Sequence, residues 1–170
     1  MRNVMITGSF DPPTIGHEDI IRRAAENFPA VRVVVFINEE KPAFFPPDTR
    51  LAFLKKVCKK YPNVTVDLDR GRVADYAERE GISLIVRAVR GEDDLSYELE
   101  MAEYNRKEGG VETLLLPASP SLCTVSSSEV RRRLMASEDP TSLLPFEIGE
   151  EIAENWKNLR AKSKNELTNG

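Results

Sequence analysis

Five short apolar runs alternate with stretches of helical spacing, and this alternation constrains the fold more than any other feature of the chain. Residues 4–6, 31–37, 64–68, 84–86 and 111–116 are rich in β-branched side chains and nearly continuous in apolar character. Strands buried on both faces have this character. Between them, 17–28, 48–60, 73–80 and 94–107 carry helical periodicity, and two more helical stretches, 127–135 and 147–160, follow the last strand. Asp48 reads as the N-cap of the second helix and Gly81 as the residue that ends the third. Strands joined by helical crossovers make a parallel sheet with helices on both faces. The expected fold class is α/β: a Rossmann-like, doubly wound, five-stranded parallel sheet with C-terminal helices appended. Pro46-Pro47 and residues 137–140 punctuate loops rather than separate domains. One domain over residues 1–161 is expected, with a polar, frayed tail at 162–170.

In such folds ligands bind beyond the carboxyl ends of the strands, near the switch in strand order. The residues just after the apolar runs therefore carry most of the information. Run one leads into Gly8-Ser9-Phe10-Asp11-Pro12-Pro13-Thr14-Ile15-Gly16-His17. This is a strand-to-helix turn that delivers the chain's single histidine to the first turn of a helix. Free backbone N–H groups and the helix dipole favour an anion at such a place. Gly8 and Gly16 permit close backbone approach, and Thr14 offers a hydroxyl beside His17. An isolated Gly-His pair would be an ordinary capping turn. The whole segment reads as a phosphate site touched by the imidazole.

Run two leads to Lys41, whose ammonium can reach a phosphate but which alone would be a solvated loop residue. Run four ends in Arg87-Ala88-Val89-Arg90, two arginines placed where anions bind. Their alternative reading is structural pairing with the acidic run Glu92-Asp93-Asp94. Tyr97, Met101 and Asn105 recur at helical spacing as a stripe facing the core, with Met101 equally suited to a ligand contact. After run five, Ser126, Ser127 and Ser128 open a helix, either as anion donors or as ordinary caps.

What the chain lacks narrows the chemistry. It has neither Gly-x-x-x-x-Gly-Lys-Ser/Thr nor Gly-x-Gly-x-x-Gly, and no second histidine for a metal pair or a hydrolase triad. Phosphate positioning and charge stabilisation remain. The net charge of −4 argues against a general nucleic-acid binder, so an anion must be held by a local basic cluster. Cys58 and Cys123 have no metal-like spacing and read as reduced thiols. No run is suited to spanning a membrane and no leader pattern opens the chain, so a cytoplasmic protein is expected.

Taken together, these segments resemble the bacterial phosphopantetheine adenylyltransferases, in the nucleotidyltransferase superfamily with the Thr/His-x-Gly-His motif. The matching pieces are Gly8-Ser9-Phe10-Asp11-Pro12, Thr14-x-Gly16-His17, Lys41-Pro42, Arg87-x-x-Arg90, Tyr97-Glu98, Asn105-Arg106 and Ser126-Ser127-Ser128. The chain departs from the family pattern at Ile6-Thr7, Ala88, Leu122 and the added proline of Pro46-Pro47. The resemblance implies adenylyl transfer from ATP to 4′-phosphopantetheine, giving dephospho-coenzyme A and pyrophosphate. It assigns catalysis to His17, Lys41 and Arg90. It assigns ATP to Ser9, Phe10, Thr14, His17, Ala88, Val89, Arg90, Glu98, Val125 and the three serines. It assigns the acceptor to Ser9, Lys41, Val73, Arg87, Met101 and Asn105. It further implies Mg2+ accompanying ATP with no protein metal ligand, a homohexamer, and feedback binding of coenzyme A. The competing expectations are another adenylyl- or cytidylyltransferase of the superfamily, acting for example on nicotinate mononucleotide, and a non-catalytic nucleotide-binding module.

Overall fold

The order of strands places the functional cleft. A computed structural model describes residues 3–168. Strands β1 (Val4–Gly8), β2 (Val31–Phe36), β3 (Val64–Asp69), β4 (Leu84–Val89) and β5 (Glu112–Pro117) form one parallel sheet in the order β3-β2-β1-β4-β5. The chain winds outward from β1 to β3, then crosses back to lay β4 on the other side of β1. The switch point therefore lies between the carboxyl ends of β1 and β4.

Side-chain alternation along each strand builds the two faces. Val4 and Ile6 of β1, with Val31, Val33 and Val35 of β2, pack against α1 (Ile15–Asn27) and α2 (Pro47–Cys58). Met5, Val34 and Ile85 point the opposite way, toward Tyr76 and Ala77 of α3 (Val73–Arg79). Helix α4 (Glu92–Gly109) makes the β4–β5 crossover. A further apolar cluster joins Phe53 and Val57 on the outer side of α2 to Val130 and Leu134 of α5 (Ser127–Met135) and Ile152 of α6 (Gly149–Thr168). The C-terminal helices are thus appended to α2 rather than to the sheet. Helix α6 extends to Thr168, across most of the segment read as a polar tail, and residues 169–170 lie outside the described residues.

Two caps show how local chemistry sets boundaries. Gly81 sits at φ +64° just beyond α3, as expected of a residue that only glycine occupies without cost. Asp48, in contrast, is not an N-cap. Pro46 takes that position without a side-chain cap and Pro47 is the first helical residue. Proline's fixed φ and missing N–H suit the first helical position, so the pair starts the helix early and leaves Asp48 in the first turn, where its charge favours the dipole.

Candidate active site

Beyond β1, Thr14 caps α1 and His17 is its third residue. Their hydrogen bonds are reciprocal. The His17 amide donates to Thr14 Oγ1 at 3.4 Å, and the Thr14 amide donates to His17 Nδ1 at 3.0 Å. This is a capping box with histidine in the usual place of glutamate. A backbone amide can only donate, so Nδ1 must be the unprotonated nitrogen of the neutral ring. Nε2–H is then the one remaining ring donor. Phe10 presses edge-on against the imidazole, with ring centroids 4.9 Å apart. It does so from the left-handed backbone region, at φ 46°. Gly8 makes room for that ring, since a Cβ there would stand 3.2 Å from Phe10.

The turn between β1 and α1 is tied down from three directions. Arg50 of α2, almost fully buried, donates to the Ser9 carbonyl at 2.9 Å. The Asp11 carboxylate accepts from the amides of Phe44 and Phe45 at 2.7 and 2.8 Å. From α5, Ser127 donates to the Pro12 carbonyl and Arg131 to the Asp11 carbonyl, both at 2.7 Å. The three serines therefore act partly as structure: Ser126 caps α5 by accepting from the Glu129 amide, and Ser128 accepts from Arg131. What α5 still offers an anion is its first backbone N–H groups.

Arg87 leaves β4 on the far side of the cleft. Its guanidinium binds the Glu98 carboxylate with two contacts of 2.7 Å and also donates to the Thr7 carbonyl at 2.7 Å. Arg90 grips Asp94 through contacts of 2.6 and 3.1 Å. Thus Arg90 pairs within the acidic run, as one sequence reading expected, while Arg87 pairs with Glu98 one helical turn further on. Glu98 is 6% exposed and Arg87 somewhat more open. Glu98→Ala strands a partly buried charge. A loss of about 1–3 kcal/mol is expected, below the ~3–5 kcal/mol of a fully buried pair. Denaturant unfolding measures it, and an unchanged midpoint would show the pair to be energetically idle.

These groups meet around a cavity of about 340 Å³ at the switch point. Ser9, Phe10, Thr14 and His17 line one wall, Arg87, Ala88, Arg90 and Glu98 a second, and Val125 with the three serines a third. Burial, followed by the charges of Arg90 and Arg87, pushes the His17 pKa down to about 4. The ring, packed on its protein side yet open to the cavity, is neutral at pH 7. Arg131 is also on the wall, and sequence reading had given it no role. The only signal for it was its position four residues after Ser127 on one helix.

Other expected residues lie elsewhere. Lys41 is exposed in the turn after β2, and Val73 packs at the start of α3. Val89 ends β4, while Met101 and the buried Asn105 lie along α4. None of the five is among the lining residues of the cavity. Among the described residues no cluster of three or more His, Cys, Asp or Glu is arranged to hold a metal ion, and no helix is long and apolar enough to cross a membrane.

Known proteins share this arrangement to different degrees. Residues 5–133 match the cytidylyltransferase-like family. A protein of Thermobifida fusca named phosphopantetheine adenylyltransferase is 38% identical over 163 residues, covering 96% of this chain and 99% of its own. One of the same name from Corynebacterium diphtheriae is 40% identical over 158 residues, covering 92% and 99%. A solved structure from Vibrio parahaemolyticus, provisionally described as a nicotinate-nucleotide adenylyltransferase, is similar with a TM-score of 0.63. It covers 92% of this chain and 94% of its own at 16% identity, a likeness of fold alone.

Proposed function

Because the chain belongs to the phosphopantetheine adenylyltransferases, within the cytidylyltransferase-like family, we propose that this cleft transfers the adenylyl group of ATP to 4′-phosphopantetheine. The observation that carries the proposal is His17: a neutral imidazole, held in one tautomer by the Thr14 amide, in a cavity that Arg87 and Arg90 also line. An acceptor phosphate oxygen attacks the α-phosphorus in line. As that bond forms, the bridging α–β bond breaks, and pyrophosphate leaves with the electron pair. No protein nucleophile enters such a step, so placement and charge stabilisation supply the catalysis.

The lining residues take their roles from position, and Lys41, Val73, Met101 and Asn105, which do not line the cavity, take theirs from the family resemblance. His17 donates through Nε2–H to oxygens that gain charge at the α-phosphorus. Arg90 and the first amides of α5 hold the triphosphate. Arg87, fixed by Glu98 and Thr7, faces the acceptor phosphate with Lys41. Mg2+ bound with ATP would supply charge neutralisation at the phosphates. The wall carboxylates Asp94 and Glu98 are already engaged by arginines, so no protein cage is assigned to it. Val125 borders the adenine, and Val73, Met101 and Asn105 the pantetheine arm. The same reading includes a cytoplasmic homohexamer subject to feedback by coenzyme A; light scattering that gave a monomer at micromolar concentration would remove the hexamer.

The experiment that tests the reaction is pyrophosphate release from ATP and Mg2+ with 4′-phosphopantetheine, nicotinate mononucleotide or glycerol phosphate as acceptor. Turnover fastest with the first is expected, and a preference for either of the others overturns the assignment. Lys41 supplies a finer check. Lys41→Ala should raise the acceptor KM by about 10- to 100-fold, the equivalent of a charged hydrogen bond of about 1.5–3 kcal/mol, with the ATP KM unchanged. Unaltered acceptor kinetics would leave Lys41 a solvated loop residue.

A further inference from the structure

The C-terminal helix lies outside residues 5–133, the stretch that matches the cytidylyltransferase-like family, yet it reaches the loop that carries Lys41. Trp156 of α6 stacks on Phe44, with ring centroids 4.3 Å apart and planes inclined by 22°. The indole is fixed from behind, where Nε1 donates to the Leu134 carbonyl of α5 at 2.8 Å. Phe44 packs edge-on against Phe45, and Phe45 against Phe53 of α2. The amides of Phe44 and Phe45 are the two that bind the Asp11 carboxylate. One short segment is therefore held on one side by α6 and on the other by the turn that supplies Ser9 and Phe10 to the cavity. Lys41 stands three residues before Phe44 and is exposed.

We infer that the Trp156–Phe44 stack is a positioning device for acceptor binding, by which the C-terminal helix sets where the Lys41 loop stands. This rests on the reading of Lys41 as a ligand of the acceptor phosphate. An aromatic pair loses its geometry when either ring is replaced by an aliphatic side chain, whereas exchange of one aromatic ring for another keeps the stack. Ahead of Phe44 the loop is tied by the Lys41 amide on the Asn38 carbonyl at 3.2 Å, the Glu40 amide on Asn38 Oδ1 at 2.9 Å and an exposed ion pair of Glu39 with Arg70. Loosening the stack should spread the positions of Lys41 and weaken the acceptor while leaving the triphosphate wall alone.

Trp156 is the only tryptophan in the chain, so intrinsic emission reports directly on the stack. The test combines steady-state kinetics with titration of 4′-phosphopantetheine followed by emission. Phe44→Leu should raise the acceptor KM about tenfold, with kcat and the ATP KM unchanged, and Trp156→Phe should restore near-normal acceptor KM where Trp156→Leu does not. In the wild-type protein the acceptor should change the emission, and Lys41→Ala should abolish that change at the same acceptor concentration. If Trp156→Leu fails to fold, Phe44→Leu, which leaves the fluorophore in place, decides alone. Wild-type turnover with a normal acceptor KM in Phe44→Leu overturns the inference and leaves the reaction standing, even if melting temperature falls. Absence of wild-type turnover on this acceptor removes the reaction itself and the inference with it.

Discussion

His17→Ala is expected to fold, to bind ATP within about tenfold of the wild-type protein, and to lose at least ~10²-fold in kcat. The two halves of this result have separate causes. ATP binding survives because Arg90 and the start of α5 still face the cavity. The rate falls because the imidazole is preorganised. Its Nδ1 is locked to the Thr14 amide, its face is buttressed by Phe10, and Nε2–H is the donor left for the reacting phosphate. A donor aimed at oxygens that gain charge acts more strongly in the transition state than in the ground state, so its loss appears in kcat. Removal of one such donor typically costs about 10²–10³ in rate, or roughly 2.7–4 kcal/mol. A purely structural histidine would behave differently. Its removal would orphan the Thr14 amide and lower the melting temperature, as the catalytic case also would, but the folded fraction would keep its kcat. Saturating-substrate kinetics, corrected for the folded fraction that thermal melting gives, separate the two cases, and a fully active His17→Ala protein eliminates the mechanism.

The parts of this site that were legible in the sequence are those whose chemistry is local. Thr14 and His17 are three residues apart, and one capping interaction defines both. Gly81 announces a left-handed backbone by its identity. The central strands β1, β2 and β4 were legible because their β-branched runs, buried over much of their length, leave little polar alternation. The edge strands β3 and β5, in contrast, have no buried residue, and β3 alternates as Val-Thr-Val-Asp-Leu-Asp. Asp48 misled because two adjacent prolines override an ordinary capping preference. The stitching of the β1–α1 turn was illegible for a different reason. Arg50 reaches Ser9 across 41 residues and Arg131 reaches Asp11 across 120, and neither residue type announces a carbonyl partner at such range. Glu98 shows the same limit at short range. It lines the cavity, as a ligand contact must, but its pairing with Arg87 depends on how α4 lies over β4, which the motif does not announce.

The second large effect concerns acid. Folding pushes the His17 pKa from an ordinary 6.5 down to about 4, through burial first and then through Arg90 and Arg87. Between those two values the unfolded chain binds a proton that the folded protein refuses. Stability attributable to this residue is therefore complete above pH 6.5, falls as pH drops from 6.5 towards 4, and is flat below. At ~1.4 kcal/mol per pH unit the loss amounts to up to about 3 kcal/mol. Carboxylates lose their own ion pairs in the lower part of this range, so the His17 contribution must be taken as a difference. His17→Asn keeps a polar group at the cap but cannot titrate. Its unfolding free energy should decline less than that of the wild-type protein between pH 6.5 and 4.5, and the two profiles should run parallel above pH 7. Parallel profiles across the whole range would mean that the imidazole is not depressed, and the neutral donor assigned to it would be lost. Catalysis carries the same signature. The kcat/KM profile reports the free enzyme and should show no His17 inflection near 6.5. A bound triphosphate places negative charge beside the ring and draws the imidazole pKa upward, towards the imidazolium. The acid limb of kcat should therefore lie at higher pH than the His17 limb of kcat/KM, an order that a histidine without phosphate contact would not produce.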